Sequence, residues 1–186
     1  HPVVGRVELD VFSDLAELDR LVGAGTIDLN VSNPVGAEFL AKIRANGQLQ
    51  AYADNPATGM VRYLALRPSV EPLDDVHCRR AIFYALNKAA LLTQAGGSWH
   101  GELAGSMTPT GLPGADPQAN RYSVGANWTG DLTKARSELA ACGHRDGFTI
   151  RADMDNPNQF PAMELVRTAL GRVGIKLSLA GSCQDS

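Results

Sequence analysis

Two hydrophobic periodicities take turns along this chain, and their alternation restricts the fold more than any other feature. Apolar residues occupy every second position in 7–12 (Val7, Leu9, Val11) and in 26–31 (Ile27, Leu29, Val31), the pattern of a strand with one buried face. Between them Leu15, Leu18, Leu21 and Val22 recur at helical spacing. Ser13 is the expected N-cap of that helix, and Gly23 stands where a left-handed C-terminal cap belongs. Asn33-Pro34 opens a second helix with Phe39, Leu40 and Ile43 on one side, ending at Asn46-Gly47. Segments 48–53 and 60–66 read as a hairpin around the turn-rich 54–59. Asp74 or Asp75 then caps a helix to about Asn87, and a further helical stretch covers 89–95.

The stretch 95–130 breaks the rhythm, with Gly96, Gly97, Gly101, Gly105, Gly111 and Gly114 interleaved with Pro109, Pro113 and Pro117. A loop of that length is unusual in a compact domain. Pattern resumes with a helix from Asp131 to Cys142, a strand at 148–154, the polar turn 155–158, a helix to about Val173 and a strand at 175–179. The order β-α-β-α-β-β-α-α-loop-α-β-α-β predicts an α/β layer fold, a mixed sheet flanked by helices. Residues 1–186 are expected to form a single domain carrying the Gly/Pro-rich loop at 95–130.

Composition narrows the function classes. Twenty acidic residues against 17 basic ones give a net charge of −3, so neither nucleic acid nor an anionic membrane surface is an expected partner. No apolar run approaches the ~20 residues of a spanning helix. The chain starts His1-Pro2 with no basic-then-apolar leader, which fits a leader already removed or an excised piece of a longer protein. The cysteines Cys78, Cys142 and Cys183 are odd in number and lack metal spacing, leaving one bridge plus a thiol, or three thiols. Cys142 ends a helix and Cys183 follows the last strand, so those two are the expected pair in an exported protein.

Chemistry-bearing motifs are sparse. His1, His77, His100 and His144 make no i, i+3 or i+4 ligand pair, so no metal and no cofactor is expected. His100-Gly101-Glu102 has the H-x-E form of zinc deaminases without its P-C-x-x-C partner. The sequence 96–100, GGSWH, fails the nucleophile-elbow pattern at His100, which makes a serine hydrolase using Ser98 and His100 a minor alternative. No phosphate-binding loop exists, and Gly23-Ala24-Gly25 follows a helix, the wrong context for a dinucleotide site. Asp74 and Asp75 are expected to cap a helix and pair with Arg79.

The segment 62–88, RYLALRPSVEPLDDVHCRRAIFYALNK, resembles a motif of bacterial extracellular solute-binding proteins of family 5, the dipeptide, oligopeptide and nickel type. Pro72, Leu73, Asp74, Asp75, Arg79, Ala81, Tyr84, Ala85, Asn87 and Lys88 carry the match, while Arg67 and Cys78 depart from the usual Asn and Val. The stretch 24–31, Asp131 through Phe148, and 165–179 resemble further family segments in the same order. The resemblance implies the second lobe of a periplasmic-binding-protein-like type II fold, lacking the first lobe and a return segment. It implies a non-enzymatic component of an ABC importer that captures peptides or a similar small polar solute and delivers it to a permease. It further implies an extracytoplasmic location, periplasmic or as a cell-surface lipoprotein. A stand-alone interaction or sensing module is a second alternative.

Open α/β sheets bind ligands beyond the carboxyl ends of their strands. That points to Ser32 and Asn33 after Val31, and to Asp155, Asn156, Asn158 and Gln159 after Met154. The resemblance likewise turns the loop from Met154 to Phe160 toward the cleft. Asn33, Asn156 and Asn158 have an equally simple reading as helix caps. Trp99 is either a ligand platform or a cover for the core.

Overall fold

A computed structural model describes residues 3–31, 35–54, 59–116, 119, 122, 127–154 and 159–181. The chain divides into two compact units, His1–Pro56 and Ala57–Ser186.

The first unit is built on α1 (Leu15–Gly23), α2 (Ala37–Ala45) and the single turn α3 (Gly47–Gln50). Asp14, not Ser13, caps α1, its carboxylate accepting from the Ala16 and Glu17 amides at 2.9 and 3.2 Å. The left-handed turn after α1 falls on Gly25 (φ 72°), not on Gly23. Gly36 begins α2 without a side chain of its own, and buried Asp19 of α1 accepts its N–H at 2.8 Å. Leu18 and Ile43 are buried, and the Phe39 ring lies against Gly23. Asn33 and Pro34 lie outside the described residues.

The anticipated strands at 7–12 and 26–31 have no ladder, and Val7, Leu9, Val11, Leu29 and Val31 are exposed. A strand needs a neighbour to take its backbone hydrogen bonds, and alternation alone does not supply one. Segment 48–53 is likewise no strand, because Asn46 accepts from the Gln48 amide at 2.9 Å and turns the backbone into α3.

The second unit carries α4 (Val76–Ala85), α5 (Lys88–Gln94), a 3-10 turn (Gly97–Trp99), α6 (Leu132–Ala141), β1 (Thr149–Met154), α7 (Phe160–Gly171) and β2 (Lys176–Gly181). Three helices begin on side-chain caps: Asp75 on the His77 amide, Asn87 on Ala90 and Asp131 on Lys134. Arg79 does not pair with Asp75; its guanidinium donates to the backbone carbonyls of Leu73 (2.6 Å) and Asp74 (2.9 Å). Segment 60–66 forms no strand, although Leu64 and Leu66 lean on the core.

The described sheet is parallel, β1 beside β2, with Thr149 opposite Lys176 and Met154 opposite Gly181. α7 connects the two strands as a βαβ crossover. The sheet faces α7 with Ile150, Ala152, Leu177 and Leu179, while Thr149, Arg151 and Asp153 look outward. Ile82, Leu139, Leu170 and Ile175 are fully buried where α4, α6, α7 and β2 meet. Ala81 and Ala135, also without exposed surface, let α4 and α6 approach closely.

Cys78 in the first turn of α4 and Cys142 after α6 form a disulfide, with Cα atoms 5.6 Å apart. This replaces the expected Cys142–Cys183 pairing. Helix packing brings Cys78 to the end of α6, a neighbourhood that sequence order does not show. Cys183 lies outside the described residues. His77 Nδ1 and Glu138 Oε2, 2.6 Å apart, join the same two helices. At Gly147 (φ 87°) an added Cβ would overlap the Gly174 carbonyl, so only glycine lets these turns pass and the Lys176 amide reach Phe148 O at 2.8 Å.

Asp131 gives a pH test. The Lys134 amide that donates to it, aided by the Lys134 side chain, holds its carboxyl below the ordinary aspartate value. A depressed folded value means that the contribution is present above the unfolded value and lost as pH falls through the folded one. Asp131→Ala should lower the thermal midpoint at pH 7 and flatten its decline in acid, measured by circular dichroism from neutral pH downward; an unchanged acid profile would contradict the cap's role.

Candidate functional site

The carboxyl end of the parallel pair is the position from which this topology presents residues to a ligand. Met154 closes β1 there, half-buried, its N–H donating to the Asp153 carboxylate at 3.1 Å. α7 starts after Gln159, which has helical dihedrals and makes no side-chain cap. Pro161 in the first turn removes a backbone donor that no helical carbonyl would have received. The first turn therefore carries the positive end of a three-turn helix dipole, with Phe160 half-exposed beside it.

Met154 and Gln159 thus stand at the two ends of one connection. Asp155, Asn156 and Asn158, within it, lie outside the described residues. So do Ser32 and Asn33, which belong to the first unit. Trp99 ends the 3-10 turn after α5 and is half-buried.

The Gly/Pro-rich stretch is fastened by residues that the sequence reading passed over. Lys88 Nζ donates to the Ala104 carbonyl at 3.1 Å and sits 4.9 Å from the centre of the Trp128 ring. Burial alone pushes the Lys88 ammonium below the ordinary lysine value. Trp128 holds a left-handed backbone (φ 58°), a strained state for a bulky residue, and its carbonyl accepts the Ala89 N–H at 3.2 Å. Gly130 follows with φ 96°; a Cβ there would come within 3.0 Å of the Ala85 carbonyl. The Asp131 N–H then donates to Tyr84 O at 2.7 Å. Tyr122 stacks on Phe83 at 5.0 Å and meets Tyr84 edge-on at 6.0 Å. Asn87-Lys88 was legible only as a family mark, since its partners are 16 and 40 residues away in the chain.

The Ser98 and His100 alternative finds no support in this geometry. Ser98 is exposed in the 3-10 turn, the His100 ring lies against Gly96, and among the described residues no hydrogen bond joins the two. No group of three His, Cys, Asp or Glu that could hold a metal occurs among the described residues. One surface depression of about 500 Å³ is lined by Glu71, Pro72, Asp74, Asp75, Cys142 and His144. A second of about 320 Å³ lies at the opposite end of β2 from Gly181, against Arg167, Gly171, Ile175, Lys176 and Leu177. Neither includes Met154, Gln159 or Trp99.

A parallel βαβ unit packed on a helical layer makes the second unit an α/β arrangement, and its structural neighbours are type II periplasmic binding proteins. Comparison with known proteins sharpens this. Residues 1–185 match the profile of bacterial extracellular solute-binding proteins, family 5 Middle, and the chain belongs to that family. The glutathione-binding protein GsiB of Salmonella choleraesuis (strain SC-B67) is 30% identical over 147 residues, covering 77% of this chain and 26% of that protein. GsiB of Pectobacterium atrosepticum is 28% identical over 142 residues, covering 75% and 26%. Among solved structures, clavulanic acid biosynthesis oligopeptide binding protein 2 superposes with a TM-score of 0.84 at 32% identity, covering 90% of this chain and 31% of that one. HbpA2 from Haemophilus parasuis shares the fold, with a TM-score of 0.66 at 20% identity over 93% of this chain and 33% of its own. The chain spans about a quarter of the length of these curated relatives.

Lys88→Met keeps the aliphatic stem but removes the charge and the donor. Global stability should fall by no more than about 1 kcal/mol, the scale of one partly exposed cation–π contact. Amide exchange around 101–105 should quicken; an unchanged exchange map would show that Lys88 does not hold the loop.

Proposed function

We propose that this chain is part of the substrate-binding component of an ABC importer, capturing a peptide or similar small polar solute outside the cytoplasmic membrane for a permease. The observation that carries this reading is the family match across 1–185 together with the 0.84 superposition on an oligopeptide binding protein. The chemistry is capture without turnover: ligand bridges two lobes and shifts an open–closed equilibrium. Residues 1–186 then supply one side of the cleft, as part of the second lobe of the longer protein. Candidate contacts in the second unit are Met154, Asp155, Asn156, Asn158 and Gln159 around the β1–α7 connection, with Trp99; in the first unit Ser32 and Asn33 are separate candidates. Polar amides and the α7 N-terminus suit the carboxylate and peptide groups of such a solute. No cofactor or metal takes part.

Location follows the same reading. A disulfide between Cys78 and Cys142 fits an oxidising compartment, and the family is extracellular by description. A periplasmic protein or a surface lipoprotein would both satisfy it.

Thermal shift and calorimetry with di- to pentapeptides and glutathione provide the test. The product of the complete reading frame should be stabilised by about 2.7 kcal/mol at a ligand concentration of 100 Kd. The 186-residue chain should bind at least tenfold more weakly, because half a cleft leaves the ligand half solvated. Hydrolysis of any of these peptides, lost in Ser98→Ala, would overturn the reading in favour of an enzyme.

A further inference from the structure

The Cys78–Cys142 bridge presents two unlike sides. Cys78 has no exposed surface, sitting in α4 beside the core residues Ala81 and Ile82. Cys142 is half-buried and lines the 500 Å³ depression with Glu71, Pro72, Asp74, Asp75 and His144. The bridge is therefore enclosed at Cys78 and borders the depression at Cys142. Three of those six lining residues are carboxylic acids, and none is lysine or arginine. Arg79, which is nearby, is turned onto the Leu73 and Asp74 backbone carbonyls.

We propose that this bridge is a one-sided staple, opened by thiols only through Cys142, whose acidic surround favours cationic and neutral thiols over anionic ones such as glutathione. In the first step a thiolate sulfur attacks Cys142 Sγ. A new sulfur–sulfur bond forms there, the Cys78–Cys142 bond breaks, and its electron pair leaves on Cys78 Sγ. A second thiolate attacks the external sulfur of the mixed disulfide and releases the Cys142 thiolate. The external thiols end as their own disulfide, so two electrons pass to the protein. Attack in the opposite sense would need a thiolate inside the core at Cys78, where no water reaches. Attack at Cys142 sets the electron pair down on that same buried sulfur, which slows every reductant equally. The charge of the approaching thiol adds the discrimination. An anionic thiol thus opens the staple between α4 and α6 more slowly than a cationic one. The inference stands on the bridge and its surroundings and is independent of which solute the protein carries.

Reduction rates of native protein by cysteamine, 2-mercaptoethanol and glutathione, each normalised to thiolate concentration, test it in a Cys183→Ser background. Trapped intermediates are mapped by peptide mass spectrometry. At low ionic strength cysteamine should exceed glutathione by on the order of tenfold, with the ratio shrinking toward one at 1 M salt, where the screening length is about 3 Å. The double variant Glu71→Gln, Asp74→Asn should collapse the ratio while leaving the Asp75 helix cap in place. The mixed disulfide should map to Cys142. Equal normalised rates at low salt, a mixed disulfide on Cys78, or two free thiols in freshly purified exported protein would each overturn the proposal.

Discussion

The close approach of α4 and α6 is the contact on which the second unit depends. Ala81 and Ala135 carry nothing beyond Cβ, and both are fully enclosed, so the helices can approach closely enough for Ile82 and Leu139 to interlock. Non-local ties across that seam include the disulfide from Cys78 to Cys142, the His77–Glu138 pair and the Asp131 N–H donated to Tyr84 O. The covalent tie closes a 64-residue separation, which by the loop-entropy account contributes about 4 kcal/mol against the unfolded chain. Its position matters as much as its strength, because it fixes the start of α4 to the end of α6.

Both ends of the functional architecture hang from this seam. The far end of α4 offers the carbonyls of Tyr84 and Ala85 to the returning loop, where Asp131 donates to one and Gly130 passes close to the other. Lys88, one step further, ties α5 to Ala104 and to the Trp128 ring. At the other side, α6 leads through Gly143 and Gly147 into β1, and α7 follows β1 in the chain. The proposed capture of a solute without turnover needs such fixed presentation of polar groups more than it needs a reactive side chain.

The elements readable from sequence were those whose causes are local. α4, α6 and α7 announce themselves by helical spacing behind Asp75, Asp131 and a first-turn Pro161, and β1 and β2 by alternation between glycines. The α1 start was off by one residue because Ser13 and Asp14 are both competent caps, and the backbone selects one. Strands at 7–12, 26–31 and 60–66 were misjudged for a different reason. Alternation records which face a residue would bury, whereas a ladder requires a partner that lies elsewhere. The same non-locality hid the Cys78–Cys142 pairing, the Asp19 carboxylate that serves the start of α2, and the Lys88–Trp128 contact. At the site, topology was enough to nominate Met154 and Gln159 at the two ends of one connection. Side-chain roles within that connection are not fixed by topology, since an asparagine there can cap a helix as readily as meet a ligand.

The central proposal is that this chain contributes to holding a solute at the carboxyl end of β1 and leaves it unchanged. A crystal structure of the complete protein with its solute bound tests that claim most directly. The expected density is an intact peptide or similar polar molecule against the segment from Met154 to Phe160, at the start of α7. A solute seated instead in the depression beside Glu71 and His144, or density for cleaved product near Ser98, would contradict it.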